Sequence, residues 1–437
     1  MPRELDGDRR VEAILHAIRG IAPADDLRAL EVLWSGFRGD PRLAVTPGGK
    51  WLLERQWRIR PYREGDEMQI FELWKAALPA KYDRTQWLAW WRWSHLGNPA
   101  GIGEADVAEA DGKIVGHNRL MFLHVKIRDR LVKAYQGCDL ITHPDYRGQG
   151  IGVELTKHML HRGDKAGAAF GYTFPTSASY RMVDRYFSSW YDLGGVHWYL
   201  RPTRWKPFTK WAAGNGILSA ARTIPAVGAR LALNEISRRT RKPPQVPFVV
   251  NQVDRFDDRM NLLWREVCDT HGVMVVRSHQ YLNWRYDPPG KVYRLFIAQK
   301  SDEIKGYAVL QDRTERGIAV TYIADMVTGC AEVADCLVSR IVEDCTLRNV
   351  DLLLYPIIGS RTCQTILGRN GFTSLPFLGT RLWGKRVFVF LHSSAPRKIL
   401  AERGNWFVQI GDSDFGELWS ASGPHSSEAS GDLGDQK

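Results

Sequence analysis

Six consecutive residues, Arg147-Gly148-Gln149-Gly150-Ile151-Gly152, have the composition of an anion cradle. They run directly into Val153–His161, where Leu155 and Met159 recur at helical spacing. The first main-chain N–H groups of a helix have no partner inside it, and the helix dipole adds partial positive charge at that end. Glycines let the chain curl so that successive N–H groups converge, and no Cβ keeps a phosphate oxygen away. Arg147 adds a full charge at the rim. The chemistry this suits is the holding of a pyrophosphate. Two other glycine loops are excluded by spacing. A P-loop requires Gly-Lys-Ser/Thr, whereas Gly152 is followed by Val153 and Glu154. A dinucleotide fingerprint requires Gly-x-Gly-x-x-Gly, whereas Gly148-Gln149-Gly150 is followed by Gly152.

The elements that must position this loop are legible on both sides. Ala134–Thr142 reads as a strand, and His143-Pro144-Asp145-Tyr146 as a turn. Before them, Ala105–Ala110 and Ile114–Leu120 flank Asp111-Gly112, a hairpin signal. After the helix, Gly171–Phe174 reads as a further strand.

Strand, turn, Arg147–Gly152 and helix together resemble the Arg/Gln-x-x-Gly-x-Gly/Ala signature of GNAT-type N-acetyltransferases. The preceding His143-Pro144-Asp145-Tyr146 is similar to that family's approach to the loop. The resemblance covers residues 57–200 well and 248–390 in outline. It implies acetyl-CoA, or another acyl-CoA, as co-substrate, with no metal. It also implies direct attack of a neutral amine on the thioester, an oxyanion held by main-chain N–H groups, and an acid that protonates the thiolate. The pantetheine arm is expected on the main chain of Leu140, Ile141 and Thr142, and the pyrophosphate on Arg147, Gly148, Gln149, Gly150, Ile151 and Gly152. Thr176, after the second strand, joins the cofactor contacts.

For the acid, the family places a tyrosine in the region of Tyr180, Tyr186 and Tyr191. Tyr191 is preferred, because Tyr191-Asp192-Leu193-Gly194 resembles the family's Tyr-x-x-Leu-Gly with one residue missing; Tyr180 is the second candidate. For the base, some relatives carry Glu in the strand before the loop. The matching place here holds Gln136, which takes no proton. Asp139, three residues on and facing the other way by strand alternation, is either a base or a hydrogen-bonded strand residue.

The whole chain has 437 residues, 44% of them hydrophobic, which suits two domains rather than one core. Two stretches look like weak copies of one another. Trp91-Arg92-Trp93 and Asn98-Pro99-Ala100-Gly101 parallel Trp284-Arg285-Tyr286 and Asp287-Pro288-Pro289-Gly290. A hairpin follows each, with Gly116 and Gly306 at the same place, and Phe174-Pro175 parallels Tyr355-Pro356. The second copy departs at the loop: Val333-Ala334-Asp335-Cys336-Leu337-Val338 has no glycine, and Asp335 repels phosphate.

The expected architecture is therefore α/β with an α+β-like mixed sheet, as two GNAT-like units in tandem, each a central sheet flanked by helices. An N-terminal helical extension over 1–50 precedes the first unit over 51–200. A basic linker over 201–247, with a helix over Ile217–Ile236, leads to the degenerate second unit over 248–393. The segment 394–437 ends in a disordered tail rich in Gly, Ser, Asp and Glu.

Net charge is +11, and ten Lys or Arg against one acidic residue, Glu235, fall between Arg201 and Gln245. Three readings of that segment stand: contact with an anionic membrane surface, binding of nucleic acid by charge alone, or a solvated linker, which is the default. No specific nucleic acid is expected. No stretch is long and apolar enough to cross a membrane. The N-terminus reads as amphipathic, so the expectation is a cytoplasmic protein, with the inner membrane face as a peripheral location. The six cysteines form no Cys-x-x-Cys pair and read as buried thiols. Trp87, Trp90 and Trp91 stand at helical spacing and read as core. The acceptor class is an amine-bearing small molecule or polysaccharide precursor. A Fem-type transferase using aminoacyl-tRNA is a rival, but has no need of a pyrophosphate cradle. A CoA-sensing or partner-binding protein without turnover is the rival from outside the enzymes.

Overall fold

The computed structural model describes residues 43–45, 51–53, 56–78, 83–204, 232, 248–290, 292–315, 317–359, 361–374, 386–391 and 395–414. Of the helical extension expected over 1–50, Leu43–Val45 is described and is a strand; its other residues, the helix expected over Ile217–Ile236 (Ala232 apart) and the tail after Ser422 lie outside the described residues. Leu43–Val45 (β1) pairs antiparallel with Trp51–Leu53 (β2). Both belong to a small unit, Met1–Arg58 with Glu109–Lys113, distinct from the unit that holds the remaining described residues.

The elements that follow lie wholly or mostly in the larger unit and begin with β3 (Arg58–Pro61), α1 (Glu67–Ala77) and α2 (Arg84–Trp91). Ile70, Phe71, Leu73 and Trp74 form one buried stripe on α1, and the Asp83 side chain caps α2 by accepting from Gln86 N at 2.8 Å. Trp87, Trp90 and Trp91 pack with that stripe as core. Next come β4 (Glu104–Ala110), β5 (Lys113–Ile127) and β6 (Arg130–Thr142). Asp111 and Gly112 join β4 to β5 with φ of 49° and 74°, the paired left-handed residues that a two-residue hairpin turn needs. The helix α3 (Ile151–Lys165), the strand β7 (Phe170–Thr173), α4 (Ser177–Tyr186), β8 (Trp190–Gly195) and β9 (His197–Pro202) complete the first half.

The second half runs β10 (Val249–Val253), α5 (Met260–Val267), β11 (Val273–Val275), α6 (His279–Tyr286), β12 (Tyr293–Lys300), β13 (Glu303–Glu315), β14 (Ile318–Thr328), α7 (Ala331–Leu347), β15 (Leu352–Ile358), α8 (Arg361–Arg369), β16 (Thr373–Ser374) and β17 (Arg386–Leu391). A short helix α9 (Arg397–Leu400) and β18 (Trp406–Gln409) follow. Apart from β11, the order strand, two helices, three strands, helix, strand, helix is that of the first half. Trp93 Nε1 donates to Trp284 O at 2.8 Å, and Trp284 Nε1 donates to Trp93 O at 3.0 Å, with the rings stacked 5.4 Å apart. Such reciprocal contact is what surfaces related by a two-fold produce.

One large mixed sheet, flanked by helices, holds the two halves. Its main path is β10-β12-β13-β14-β15-β18-β11-β5-β6-β7-β17-β8. The last strands are exchanged. β9, from the first half, pairs antiparallel with β15 of the second, Tyr199 opposite Tyr355. β17, from the second, pairs antiparallel with β7 of the first, Val389 opposite Tyr172. The linker expected to start at Arg201 thus begins inside β9. The buried-thiol reading holds for Cys138, Cys268 and Cys345, but Cys330, just before α7, is exposed and Cys336, on its first turns, is half-buried; the side chain of Cys363 lies outside the described residues.

Candidate active site

β6 and β7 run parallel but pair at only two positions, Tyr135 with Gly171 and Gln136 with Tyr172. β6 then continues six residues to Thr142, while β7 stops at Thr173. The two strands part from there. Below the parting, Thr173 Oγ1 donates to Gly137 O at 3.0 Å, and a Cβ on Gly137 would meet Met159 Sδ at 2.7 Å. The strands are thus still tied at Gly137, and α3 packs closely on β6 there. Tyr135 fills the space between α3 and β7 so tightly that Gly163 and Gly171 have no room for a Cβ.

A β-bulge breaks the register of β6 where the strands part. His117 pairs with Ile141 and Arg119 with Cys138, so Asp139 and Leu140 together stand opposite Asn118. Asp139 has φ of 57°, in the left-handed region. The bulge corrects the alternation argument. Asp139 does not face away from Gln136: its buried carboxylate accepts from Nε of Arg119, whose register partner Cys138 shares the face of Gln136. Arg119 also lies over the Trp90 ring at 5.0 Å. Gln136 is fully buried and its Nε2 donates to Asp414 Oδ1 at 3.2 Å, so a carboxylate from beyond β18 stands beside the position where a strand carboxylate was sought. Asp414 was not legible, because nothing local in the sequence pairs residues 136 and 414.

The loop after β6 is held at its start by His143 N donating to Val115 O at 2.8 Å. Pro144–Tyr146 makes one 3-10 turn, and the His143 side chain accepts from Asp145 N at 3.3 Å. Gly148 and Gly150 have φ of 80° and 83°, which side-chain-bearing residues adopt at a cost. Gly150 is the residue that opens α3. Glu154 N donates to Gly150 O, the first bond of the helix. The N–H groups of Gly148 through Val153 have no protein acceptor among the described residues. Arg147 is exposed, with Nη2 3.4 Å from Ala77 O. α3 is fixed against β5: Asn118 Nδ2 donates to Leu155 O at 2.7 Å, and a Cβ on Gly116 would meet Ile151 Cγ2 at 2.6 Å. The bulge residue's partner on β5 thus anchors the helix whose free N–H groups face the loop.

The structure brings Leu140, Ile141 and Thr142 on β6, the loop 147–152 and the end of β7 to one place. Thr176 caps α4 there, its Oγ1 accepting from Ser179 N at 3.3 Å. Tyr180 lies in the first turns of α4, its ring edge-on to Trp190, and Met182 of the same helix is the residue nearest a Cβ on Gly152, at 3.3 Å. Tyr191 is elsewhere. It pairs with Val389, which pairs with Tyr172, which pairs with Gln136. Three strand spacings, about 14 Å, separate Tyr191 from β6. Tyr186 is exposed.

The matching place in the second half is filled by the chain itself. β14 and β15 pair in parallel from Val320–Leu352 to Tyr322–Leu354. Farther along, β18 enters beside β15, with Ile357 opposite Gln409. Gln409 Oε1 accepts from Met326 N at 2.8 Å, and its Nε2 donates to Asp325. Arg277 ties Asp325 to Asp412 at 3.1 and 2.8 Å in a fully buried cluster. At the start of α7, Arg369 and Asn370 hold Asp335 at 2.7 and 2.6 Å. No glycine loop opens that helix.

Residues 58–186 match the family model of an acetyltransferase (GNAT) domain. Residues 58–186 carry a GNAT acetyltransferase domain, and that span includes the bulged β6 and the loop into α3 and ends with α4. No curated protein matches the chain. Among solved structures, the chain is similar to a probable N-acyltransferase from Enterococcus faecalis V583, with TM-score 0.54, 12% identity, and coverage of 77% of this chain and 73% of that one. A GCN5-related N-acetyltransferase from Anabaena variabilis gives TM-score 0.51 and 12% identity, covering 76% and 72%. N-myristoyltransferase of Saccharomyces cerevisiae, with myristoyl-CoA bound, gives TM-score 0.50 and 11% identity, covering 81% and 82%. These likenesses are of fold. The GNAT domain supports acyl-CoA-dependent N-acyl transfer at the general level.

Proposed function

We propose that the protein transfers an acetyl group from acetyl-CoA to an amine, in the opening between β6 and β7, and that its two halves are tandem GNAT units of which only the first holds the thioester. The observation that carries this is the run of free N–H groups from Gly148 to Val153 at the mouth of the parted strands. Donors converging at a helix start fit a pyrophosphate. Arg147 sits at their rim, and the Leu140–Thr142 main chain lies along the opening for the pantetheine amides. Acyl-CoA supplies the activated thioester carbonyl.

Tyr180 is on α4, the helix whose Met182 approaches Gly152, and is preferred as acid for the leaving thiolate over Tyr191, whose own strand stands three spacings from β6. Asp139 is engaged by Arg119, so its role is to hold the guanidinium at the bulge. In the second half, Gln409 takes the β14 N–H that a pantetheine amide would need. An amino-sugar or polysaccharide-precursor acceptor, and contact with an anionic membrane through 201–247, rest on the basic composition of that segment alone.

Calorimetry with acetyl-CoA tests the reading. Binding by the wild type that disappears in Gly150→Glu, which places a carboxylate in the cradle, supports it. Equal binding by both proteins would place the cofactor elsewhere.

A further inference from the structure

The second half has lost the glycine loop, yet its parallel strands part as those of the first half do. β14 runs on from Tyr322, its last pairing with β15, to Thr328, just as β6 runs on from Gln136 to Thr142. Gly306 pairs with Thr328 as Gly116 does with Thr142, and Tyr307 pairs with Val327 as His117 does with Ile141. Met326, Val327 and Thr328 therefore hold the places of Leu140, Ile141 and Thr142. Gln409 takes the Met326 N–H, but the chain does not fill the rest of the place. A cavity of about 60 Å³ remains there, between the end of β14, α7, α8 and β18.

Its walls are apolar. Met274 of β11, Met326, Tyr355 of β15, Leu367 of α8 and Phe407 of β18 line it, and all are buried. Among the described residues, no side chain lining it is a carboxylate, an ammonium or a guanidinium. Thr270, His271 and Thr328 also line it, are less buried, and mark its mouth. Thr270 Oγ1 donates to Val267 O at 2.6 Å, and the Tyr355 hydroxyl is turned to Gln409. The His271 ring and the Thr328 hydroxyl make no hydrogen bond among the described residues. His271 is stacked on Phe407 at 4.4 Å, which holds it against the wall. Burial first, and Arg277 second, push this histidine down to about 4, so the ring is neutral near pH 7 and both donates and accepts.

Size and polarity together define what fits. At about 10–15 Å³ for each water, the space takes about four to six of them, and each needs two to four polar partners. Two free polar groups at one end cannot supply these. Water is weakly held there, and an apolar group that displaces it gains affinity. An ion would give up its hydration with no opposite charge to meet it. We propose that the cavity is a binding site for a small uncharged amphiphile, a short-chain alcohol or amide, with its apolar body against Met274, Met326 and Phe407 and its polar end on His271 and Thr328. The occupant touches β14 and β15 of the second half, and also β18 and β11. β11 pairs with β5, so these are the strands through which the sheet passes from one half to the other. The site does not depend on the acyl-transfer reading.

The test is NMR of the full chain with carbon-13 in its methionine methyl groups. The Met274 and Met326 signals are assigned with Met274→Leu and Met326→Leu. The probes are 1-butanol and butyramide, with butyrate and butylammonium as charged counterparts of similar size. Both neutral probes are expected to shift Met274 and Met326 saturably and to leave Met121 and Met159 of the first half unmoved. The charged probes are expected to bind tenfold or more weakly. Ala334→Leu, which carries a larger side chain into the cavity from α7, is expected to abolish saturation. His271→Phe keeps the ring on Phe407 but removes its hydrogen bond, and should weaken both neutral probes about three- to tenfold. Thermal unfolding shows that each variant is folded, and His271→Phe carries the comparison if Ala334→Leu is not. No saturable shift at Met274 and Met326 with either neutral probe would overturn the proposal. So would shifts spread over all the methionines, a shift at Met159 alone, undiminished binding by folded Ala334→Leu, or equal affinity for the charged probes.

Discussion

Gly150 and Gly152 stand on the same helix start and respond to the same substitution in opposite ways. At Gly150, φ is 83° and a Cβ would meet nothing within 4 Å. Gly150→Ala therefore costs only the left-handed backbone, about 1–2 kcal/mol. At Gly152, inside α3 with an ordinary helical φ, a Cβ would come 3.3 Å from Met182 Sδ, the end of a flexible side chain. Gly152→Ala removes a glycine from a helix and gains about 0.5–1 kcal/mol. In this chain the melting temperature should fall by about 2 °C for the first and hold or rise for the second. Binding should follow neither trend. In the proposed cradle both methyl groups stand where phosphate oxygens would approach free N–H groups, and loss of one charge-assisted hydrogen bond is worth about 1.5–3 kcal/mol. Acetyl-CoA affinity should fall about 10- to 100-fold in each variant. Calorimetry beside thermal unfolding reads both quantities on one sample. Gly152→Ala with raised stability and undiminished affinity would refute the cradle.

Other outcomes follow from the same geometry. Arg119→Ala leaves the Asp139 carboxylate buried and unpaired, and should cost about 3–5 kcal/mol in denaturant unfolding. Gly171→Ala drives a methyl group into the Tyr135 ring and should cost about 1–3 kcal/mol, measured in the same way. Tyr180→Phe should lower kcat and leave acetyl-CoA affinity intact, whereas Tyr191→Phe should change neither. His117 and His95 have folded pKa values lowered to about 3 and about 4, below the usual 6.5. The unfolded chain then binds protons first, so stability is full above pH 6.5 and is lost as pH falls from there towards 4, by several kcal/mol in all. A pH series of urea melts should show that loss, and His117→Gln should flatten it.

How much of this was legible depended on whether the signal was local. The glycine loop, the Asp111-Gly112 turn and the Trp87-Trp90-Trp91 core each announce themselves within a few residues, and each stands where the pattern put it. The strand before the loop was found, but not its bulge. Asp139 in the left-handed region is a tertiary outcome, forced where two residues face Asn118, and strand alternation cannot foresee it. His117 and His95 carry no local signal in the sequence; only the packing of α2 on β5 brings both to Trp91. The preference for Tyr191 rested on a motif one residue short, and the sheet order separates it from the opening. β18 carried a short apolar signal, Trp406-Phe407-Val408, but its destination, between β15 and β11, is a matter of long-range pairing.

The exchanged strands set a timetable for making the protein. β7 ends at Thr173, and the strand that lies along it begins at Arg386, 213 residues later in synthesis. At about 5–20 residues per second, a ribosome needs roughly 10–40 seconds to supply it. For that interval the edge of β7 that β17 will cover has no neighbour from its final fold. A nascent chain in this condition is a target for chaperones that shield unpaired strands. The first half gains its finished sheet only when the second half is nearly complete, so premature release at the basic segment yields a fragment with an unguarded edge rather than a small enzyme.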